Sequence, residues 1–159
     1  MKSTHTKDHP GVIAFPPLIW LTCAVISGLV QHFIIFPSHM MRDEVSLPIG
    51  IAMAVAAFSL VIWAGGVLKV AGTNVNPSQP ALTIVRNGPY RFTRNPMYLG
   101  LCLFQVSLAF FLNDWISLLF VIPLALVLHF GVILREERYL EAKFGDPYLA
   151  LRREVRRWI

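Results

Sequence analysis

Residues 86–100 combine three arginines, two tyrosines and two proline-containing breaks in the short gap between two strongly apolar segments. Asn95-Pro96 is a favourable start for the helix that follows, with asparagine as the N-cap and proline at the first helical position. Such a helix N-terminus, flanked by Arg91 and Arg94, attracts a carboxylate or a phosphate. On this loop alone, a second interpretation stays open, in which the arginines only anchor a membrane protein and Asn95-Pro96 is only a cap.

A pair of carboxylates, Glu136 and Glu137, follows a long apolar run further along the chain. An anionic membrane surface would disfavour glutamates at this position. A carboxylate can accept hydrogen bonds from a ligand or take a proton from it. Plain membrane topology therefore does not explain this pair.

The elements that must position these residues are membrane helices. The chain has 55% hydrophobic and 14% charged residues and a mean hydropathy of +0.58, which is too apolar for a soluble domain. A helix needs about 20 apolar residues to cross a bilayer, and residues 12–36, 47–71 and 115–134 meet that requirement. Residues 97–112 either span a thinned bilayer or form a tight hairpin with the last run through Asn113-Asp114, which we favour.

The first run is expected to be a retained helix and not a cleaved signal peptide, because its apolar core is long and no small-residue cleavage site follows it. The predicted fold is therefore an all-α integral membrane protein with about four transmembrane helices, in one domain over residues 1–159. Residues 12–71 provide two N-terminal transmembrane helices, and residues 72–159 form the half that carries the candidate site.

The cationic residues predict the orientation of these helices. Thirteen of the 14 lysines and arginines flank one side of the predicted bundle, and Arg42 alone lies in the first connection. Cytoplasmic segments carry such an excess, so we expect both termini and the site in the cytoplasm, at a plasma (inner) membrane. The formal net charge of +5 then reflects topology and attraction to anionic headgroups, and no pattern of a nucleic-acid module is present.

The fourth apolar run is expected to continue as a helix out of the membrane and to end near Phe144-Gly145. Asp146-Pro147 then starts another helix by the same combination of cap and proline. In this last helix apolar and aromatic side chains recur at helical spacing, with arginines between them: Tyr148, Leu151, Val155 and Trp158. The pattern predicts an amphipathic helix in the cytoplasmic interface, its arginines reaching the headgroups.

No metal site is predicted. The two cysteines, Cys23 and Cys102, lie in apolar runs and are expected to be small buried hydrophobic residues. The five histidines show no spacing typical of metal ligands. Gln31-His32 and His129 lie at membrane depth, where either interhelical hydrogen bonds or a functional role explains such residues.

Four short motifs resemble the C-terminal signature of isoprenylcysteine carboxyl methyltransferases, which is shared more loosely with membrane phospholipid N-methyltransferases. The resemblance covers residues 72–159 and indicates a short, bacterial-type member of this superfamily. Related signatures occur in membrane sterol reductases, which use a nicotinamide cofactor and have a much longer chain. The motifs are Gly88-Pro89-Tyr90, the run from Arg94 to Gly100, Glu136-Glu137 and the run from Phe144 to Tyr148.

The resemblance implies that S-adenosylmethionine binds at the cytosolic ends of the last helices, where the arginines and the glutamates are two halves of one site. It implies that Glu137 accepts hydrogen bonds from the cofactor and that residues 82–85 contact it largely through their backbone. Asn95 stands where the family often has histidine, so it keeps a polar group and a helix cap but no titratable imidazole. The implied cofactor-binding residues are Leu82, Thr83, Ile84, Val85, Tyr90, Asn95, Pro96, Met97, Tyr98 and Glu137.

Methyl transfer from a sulfonium is an in-line displacement that needs alignment and exclusion of water but no metal. A carboxylate acceptor is already ionised at neutral pH, and Arg94 or Arg135 would orient it. An amine acceptor must first lose a proton, and Glu136 could assist in that step. The predicted catalytic residues are therefore Arg94, Arg135 and Glu136.

We thus expect an S-adenosylmethionine-dependent methyltransferase that acts on the carboxylate of a prenylated or lipid-like substrate, which enters from the lipid side of the bundle. One alternative is a phospholipid or amine N-methyltransferase. From another class, the chain could be a non-catalytic membrane sensor or partner subunit. Neither nucleic acid nor an obligate protein partner is expected.

Overall fold

A computed structural model describes residues 8–33 and 39–159 of the chain. These ranges contain no β-strand, and an isolated bridge joins His39 to Asp114. The predicted all-α fold is confirmed. The helices are, in order, α1 (Pro16–Phe33), α2 (Asp43–Val70), α3 (Pro96–Leu112), α4 (Trp115–Phe144) and α5 (Asp146–Glu154).

Three of the described helices, α1, α2 and α4, are long and apolar enough to cross a membrane, and α3 is a shorter apolar helix. Large apolar side chains point outward along them, such as Phe58, Ile122 and Phe130, which are 60%, 60% and 62% exposed. An outer surface of this kind is typical of helices in lipid, whose backbone groups are all satisfied internally. The protein is therefore an all-α membrane protein.

The helix bounds differ from the apolar runs mainly at the ends. α1 begins at Pro16, later than the run 12–36, and residues 34–36 of that run lie outside the described residues. α2 begins at Asp43, earlier than residue 47, because Asp43 and Glu44 occupy its first turn. Acidic side chains there interact favourably with the helix dipole.

α3 and α4 form the predicted tight hairpin. Asn113 ends α3 in the left-handed conformation (φ 52°), which asparagine adopts more readily than most residues. The Asp114 carboxylate caps α4 by accepting the Ser117 backbone N–H at 2.6 Å. Only two residues connect the helices here, which is too short a loop to form a site. The candidate site therefore lies at the opposite end of the pair, where α4 extends beyond α3.

α2 and α3 pack closely through small residues. The Ser107 hydroxyl donates to the Gly50 carbonyl at 2.9 Å, and a Cβ added at Gly100 would overlap Val61. Small residues at helix contacts are the usual means of association in lipid, where burial from water provides little stabilisation. This contact fixes the start of α3 relative to the loop that follows α2.

Gly100→Ala is expected to lower the thermal stability of the protein in detergent, because overpacking of this kind costs about 1–3 kcal/mol. The matched control is Gly66→Ala, where the added Cβ meets nothing within 4 Å and alanine is favoured in a helix. Thermal unfolding followed by circular dichroism measures both. Val61→Ala should recover part of the loss in the Gly100→Ala background, and equal stability of the two single variants would contradict the close contact.

α4 contains one wider turn at membrane depth. Residues His129–Ile133 form a π-helical turn, and the Gly131 carbonyl accepts a hydrogen bond from the Ile13 backbone N–H at 3.2 Å. Beyond this turn, Arg135 Nη1 donates to the Gly11 carbonyl at 2.9 Å. The segment before α1 is therefore attached along the polar end of α4.

The end of α4 agrees with its sequence signals. The helix ends at Phe144, and Gly145 takes a positive φ of 57° that turns the chain into α5. α5 ends at Glu154, however, and Val155 is extended (φ −119°, ψ 133°). The prediction that the apolar face of this helix continues to Trp158 is therefore wrong.

Trp158 contacts α4 instead. Its indole N–H donates to His129 Nδ1 at 3.3 Å, and the two rings stack with centroids 6.5 Å apart. A buried or half-buried indole usually needs such a partner for its N–H. The extended segment 155–159 thus returns to the body of the protein.

Candidate functional site

A cavity, here called the polar cavity, lies between the loop after α2, the start of α3 and the polar end of α4. Its volume is ≈ 150 Å³, whereas a single water needs only about 10–15 Å³. The cavity is therefore large enough for part of a ligand. The arginines and glutamates implied to be two halves of one site meet here.

Most of the predicted site residues line the polar cavity, and three do not. Leu82 is 60% exposed, Thr83 is exposed, and Arg135 is exposed and bound to the Gly11 carbonyl. Arg135 thus holds the segment before α1. The predicted residues that do line the cavity are Ile84, Val85, Tyr90, Arg94, Asn95, Pro96, Met97, Tyr98, Glu136 and Glu137.

Side chains within and beside the loop after α2 hold its backbone in place. The Thr73 hydroxyl accepts the Leu82 N–H at 2.9 Å, and the Tyr139 hydroxyl accepts the Ala81 N–H at 3.2 Å. These two backbone donors are used within the protein. Of the run 82–85, the part that reaches the polar cavity is Ile84 and Val85.

Glu137 is the centre of a buried ion cluster. Its Oε1 lies 3.0 Å from Arg94 Nη2 and accepts Arg157 Nε at 2.9 Å, and its Oε2 accepts Arg157 Nη2 at 2.7 Å. The side chains of Arg94 and Glu137 are only 8% and 9% exposed. Arg157 binds both carboxylate oxygens, the bidentate arrangement in which such pairs are strongest. This hydrogen bonding raises the pKa of Arg157 above its ordinary value, so Arg157 stays charged.

One nitrogen of the Arg94 guanidinium, Nε, is left without a partner in the described ranges. Its Nη1 donates to the Tyr148 hydroxyl at 3.3 Å, while its Nη2 binds Glu137. Its Nε is buried and has no hydrogen-bond partner within residues 8–33 and 39–159. A buried donor without a partner is costly, so a donor of this kind at a cavity wall is suited to a ligand acceptor.

Asn95 precedes α3, as predicted, but its side chain does not cap the helix. Its Nδ2 donates to the Arg157 carbonyl at 2.9 Å, and its backbone N–H donates to the Thr93 hydroxyl at 3.1 Å. The Thr93 hydroxyl in turn donates to the Arg157 carbonyl at 3.2 Å. Asn95 therefore connects the turn before α3 to the segment 155–159.

Four tyrosines line the polar cavity, and two of them, Tyr90 and Tyr148, lie outside the membrane helices. Burial and the nearby Glu136 carboxylate raise the pKa of Tyr90 above its ordinary value. Burial, followed by the charge of Glu137, raises the pKa of Tyr148 to about 12. Both phenols are thus neutral at physiological pH, where they can donate hydrogen bonds.

Glu136 lies in the same cavity beside Tyr98, within reach of a side-chain hydrogen bond from the phenol. The salt bridges found in the described part of the chain do not include Glu136. The two glutamates therefore differ in kind. Both oxygens of Glu137 are bound by arginines. The polar neighbours of Glu136 include the hydrogen-bonding Tyr98 and the like-charged Glu137.

A second cavity, here called the apolar cavity, has a volume of ≈ 240 Å³ and adjoins the first. It lies between the start of α1, α2 and α3, and apolar residues such as Phe15, Val61 and Leu101 line it. Both cavities share the wall formed by Met97, Tyr98 and residues 75–77. A molecule with a polar head and an apolar tail could therefore place its head near Tyr98 and its tail among the helices.

Sequence reasoning missed several residues that line the polar cavity or act on it. Tyr148 is one, although it belongs to the motif that ends at residue 148; its position on an apolar helix face suggested only packing. Thr73 and Tyr139 carry no signal beyond their polarity. Arg157 is one of four arginines near the end of the chain, and no local pattern distinguishes it from the others.

The helices and the two adjoining cavities define a small membrane protein with a candidate ligand site at the polar end of α4. The family model for phospholipid methyltransferases matches residues 45–147, more than half of the chain. The chain belongs to this family, within the superfamily of isoprenylcysteine and phospholipid methyltransferases, and the resemblance is confirmed. An uncharacterized protein of Haemophilus influenzae is 43% identical over 63 residues, which are 40% of this chain and the whole of that protein. Family membership indicates a membrane methyltransferase.

Proposed function

We propose that this protein uses S-adenosylmethionine to methylate the amine headgroup of a membrane lipid. The observation that carries the proposal is the position of Glu136, a carboxylate with no ion pair in the described ranges. It lines the polar cavity beside Tyr98, and Tyr98 belongs to the wall shared by the two cavities. A lipid tail in the apolar cavity would bring the headgroup to this carboxylate.

The charges around Tyr98 favour an amine over a carboxylate acceptor. Arg135 lies outside the polar cavity, and the charge of Arg94 is paired with Glu137. Neither of the two predicted orienting cations therefore brings an uncompensated charge there, although Arg94 Nε keeps an unused hydrogen. An unpaired carboxylate repels a carboxylate substrate and attracts an ammonium group. The family model, which is that of phospholipid methyltransferases, supports the same choice.

An ammonium group has no lone pair, so it must lose a proton before it can accept a methyl group. Glu136 is placed to take that proton as a general base. The Tyr98 phenol can hydrogen-bond the Glu136 carboxylate and keep it directed toward the shared wall. The surrounding apolar side chains, such as Met97, exclude water from the reacting groups.

The residues of the polar cavity fit S-adenosylmethionine, which when bound supplies a methyl group on a sulfonium. Ile84 and Val85 provide an apolar wall for a purine ring, and Tyr90 provides a phenol donor. Arg94 Nε is a buried donor without a partner in the described ranges. We place this end of the bundle in the cytoplasm, because the cationic excess lies on the same side.

Carboxyl methylation of a prenylated substrate is the second candidate. The free Arg94 Nε favours it, since a substrate carboxylate could accept that hydrogen bond. In that reaction no proton has to be removed, because the carboxylate is already ionised. The two candidates thus differ in whether Glu136 is needed.

The proposed function is tested by incubating the full chain in nanodiscs with methyl-labelled S-adenosylmethionine and one acceptor at a time. The acceptors are phosphatidylethanolamine, phosphatidylcholine as a matched lipid whose nitrogen is fully methylated, and a prenylcysteine. Label is expected in phosphatidylethanolamine alone. Label in the prenylcysteine alone would overturn the amine assignment, and no label with no cofactor binding in calorimetry would overturn the methyltransferase proposal.

A further inference from the structure

The segment 155–159 binds, through its backbone, the turn that precedes α3 beside the polar cavity. The Arg156 carbonyl accepts the Arg94 N–H at 3.0 Å. The Arg157 carbonyl accepts the Thr93 hydroxyl at 3.2 Å and the Asn95 amide at 2.9 Å. The segment thus holds the turn that begins α3, and this turn carries Arg94.

Arg157 changes the charge of the buried cluster. Arg94 and Glu137 alone would form a neutral pair, and the guanidinium of Arg157, at 2.7 Å from Glu137, makes the cluster of three residues net positive. The remaining carboxylate of the polar cavity, Glu136, lies beside Tyr98. A surplus positive charge in a wall shielded from water favours an anionic ligand group.

Arg157 also determines which donor of Arg94 is available. The Arg157 guanidinium binds both oxygens of Glu137. The Glu137 carboxylate therefore cannot also rotate to accept a hydrogen bond from Arg94 Nε. That atom is buried and has no partner in the described ranges, and the Arg94 side chain is 8% exposed. A buried guanidinium donor that faces a cavity is suited to a carboxylate oxygen.

We infer that Arg94 Nε binds the carboxylate of the amino acid part of S-adenosylmethionine, and that Arg157 is a positioning residue that keeps this donor free. The inference rests on the proposed function and adds the segment 155–159 to the cofactor site. A substrate carboxylate could use the same donor, so the test must separate the two sources.

The test is calorimetric binding of two ligands to the full chain in detergent, S-adenosylhomocysteine and 5′-methylthioadenosine. Both contain adenosine and a thioether, but only the first has the amino acid part with its carboxylate. Arg157→Gln is expected to weaken binding of S-adenosylhomocysteine about tenfold or more. The affinity for 5′-methylthioadenosine should change less than about threefold. A change of that size corresponds to less free energy than one hydrogen bond to a charged group contributes. Arg153→Gln, which removes the same charge from an exposed position, should change neither.

Equal losses for the two ligands would show that Arg157 only supports the fold, and no loss for either would assign the donor to another group such as a substrate carboxylate. Both results overturn the inference while leaving the methyltransferase proposal intact. If the wild type binds neither ligand, the proposed function itself fails.

If the Arg157→Gln variant does not fold, the same two binding measurements are made with Arg157→Lys. Lysine keeps the charge but cannot form the bidentate fork, so it should retain 5′-methylthioadenosine binding and recover part of the affinity for S-adenosylhomocysteine. A lysine variant that loses both affinities in the same proportion would overturn the inference.

Discussion

Glu136→Gln is expected to lower the rate of methyl transfer to an amine lipid about 100-fold or more, the effect of losing a general base. Glutamine has the same size and can still accept a hydrogen bond from Tyr98, but it cannot take a proton from an ammonium group. Since Glu136 makes no ion pair in the described ranges, its loss leaves no arginine uncompensated. The affinity for S-adenosylhomocysteine should therefore stay within about threefold of the wild type, less than one charged hydrogen bond.

The rate is measured with labelled S-adenosylmethionine and phosphatidylethanolamine, and cofactor affinity is measured by calorimetry. Glu141→Gln is the matched control, because Glu141 lies on the same helix but pairs with the exposed Arg152. A rate unchanged by Glu136→Gln would contradict a general base at this position. A prenylcysteine methylated faster by the variant than by the wild type would favour the carboxylate acceptor, because the repelling charge is gone.

Hydropathy and turn signals were sufficient to predict most of the fold. Crossing a bilayer requires length and apolarity, which are properties of a local stretch of sequence, so α1, α2 and α4 appear as apolar runs. The hairpin at Asn113-Asp114 follows from a left-handed residue and a capping carboxylate, and both are recognisable in the sequence. Arg94 and Glu137 each lie at the end of a predicted helix on the same side of the bundle, so their proximity was predictable, but their ion pair was not predicted.

The path of residues 155–159 could not be predicted in the same way. The helical spacing of Val155 and Trp158 favours a continued amphipathic helix. The helix ends at Glu154 instead, because residues beyond it make contacts elsewhere in the protein. The Trp158 indole binds His129 on α4, and Arg157 binds Glu137. Both partners are remote in sequence, so local periodicity contains no information about them. Arg135 shows the same limit, because its partner is the carbonyl of Gly11.

Glu137→Gln is expected to destabilise the protein by about 3–5 kcal/mol, the cost of leaving a buried charge without its partner. Arg94 is the charge in question, since its side chain is 8% exposed, whereas Arg157 is 30% exposed and can turn toward water. Thermal unfolding in detergent measures the loss. The matched control is Glu154→Gln, which breaks the exposed pair with Arg86 and should cost at most about 1 kcal/mol.

The double variant Glu137→Gln/Arg94→Gln separates the stability of the cluster from its binding role. Removing both charges leaves no buried ion without a partner, because the remaining Arg157 is 30% exposed and can turn toward water. Stability should therefore return toward the wild type, as expected for directly coupled residues. Binding of S-adenosylhomocysteine should stay weak, because the guanidinium donor at Arg94 is gone. Recovery of both properties in the double variant would show that the cluster only supports the fold. Recovery of stability alone is the result that a cofactor site requires, since a neutral pair can replace the ions in packing but cannot recognise a carboxylate.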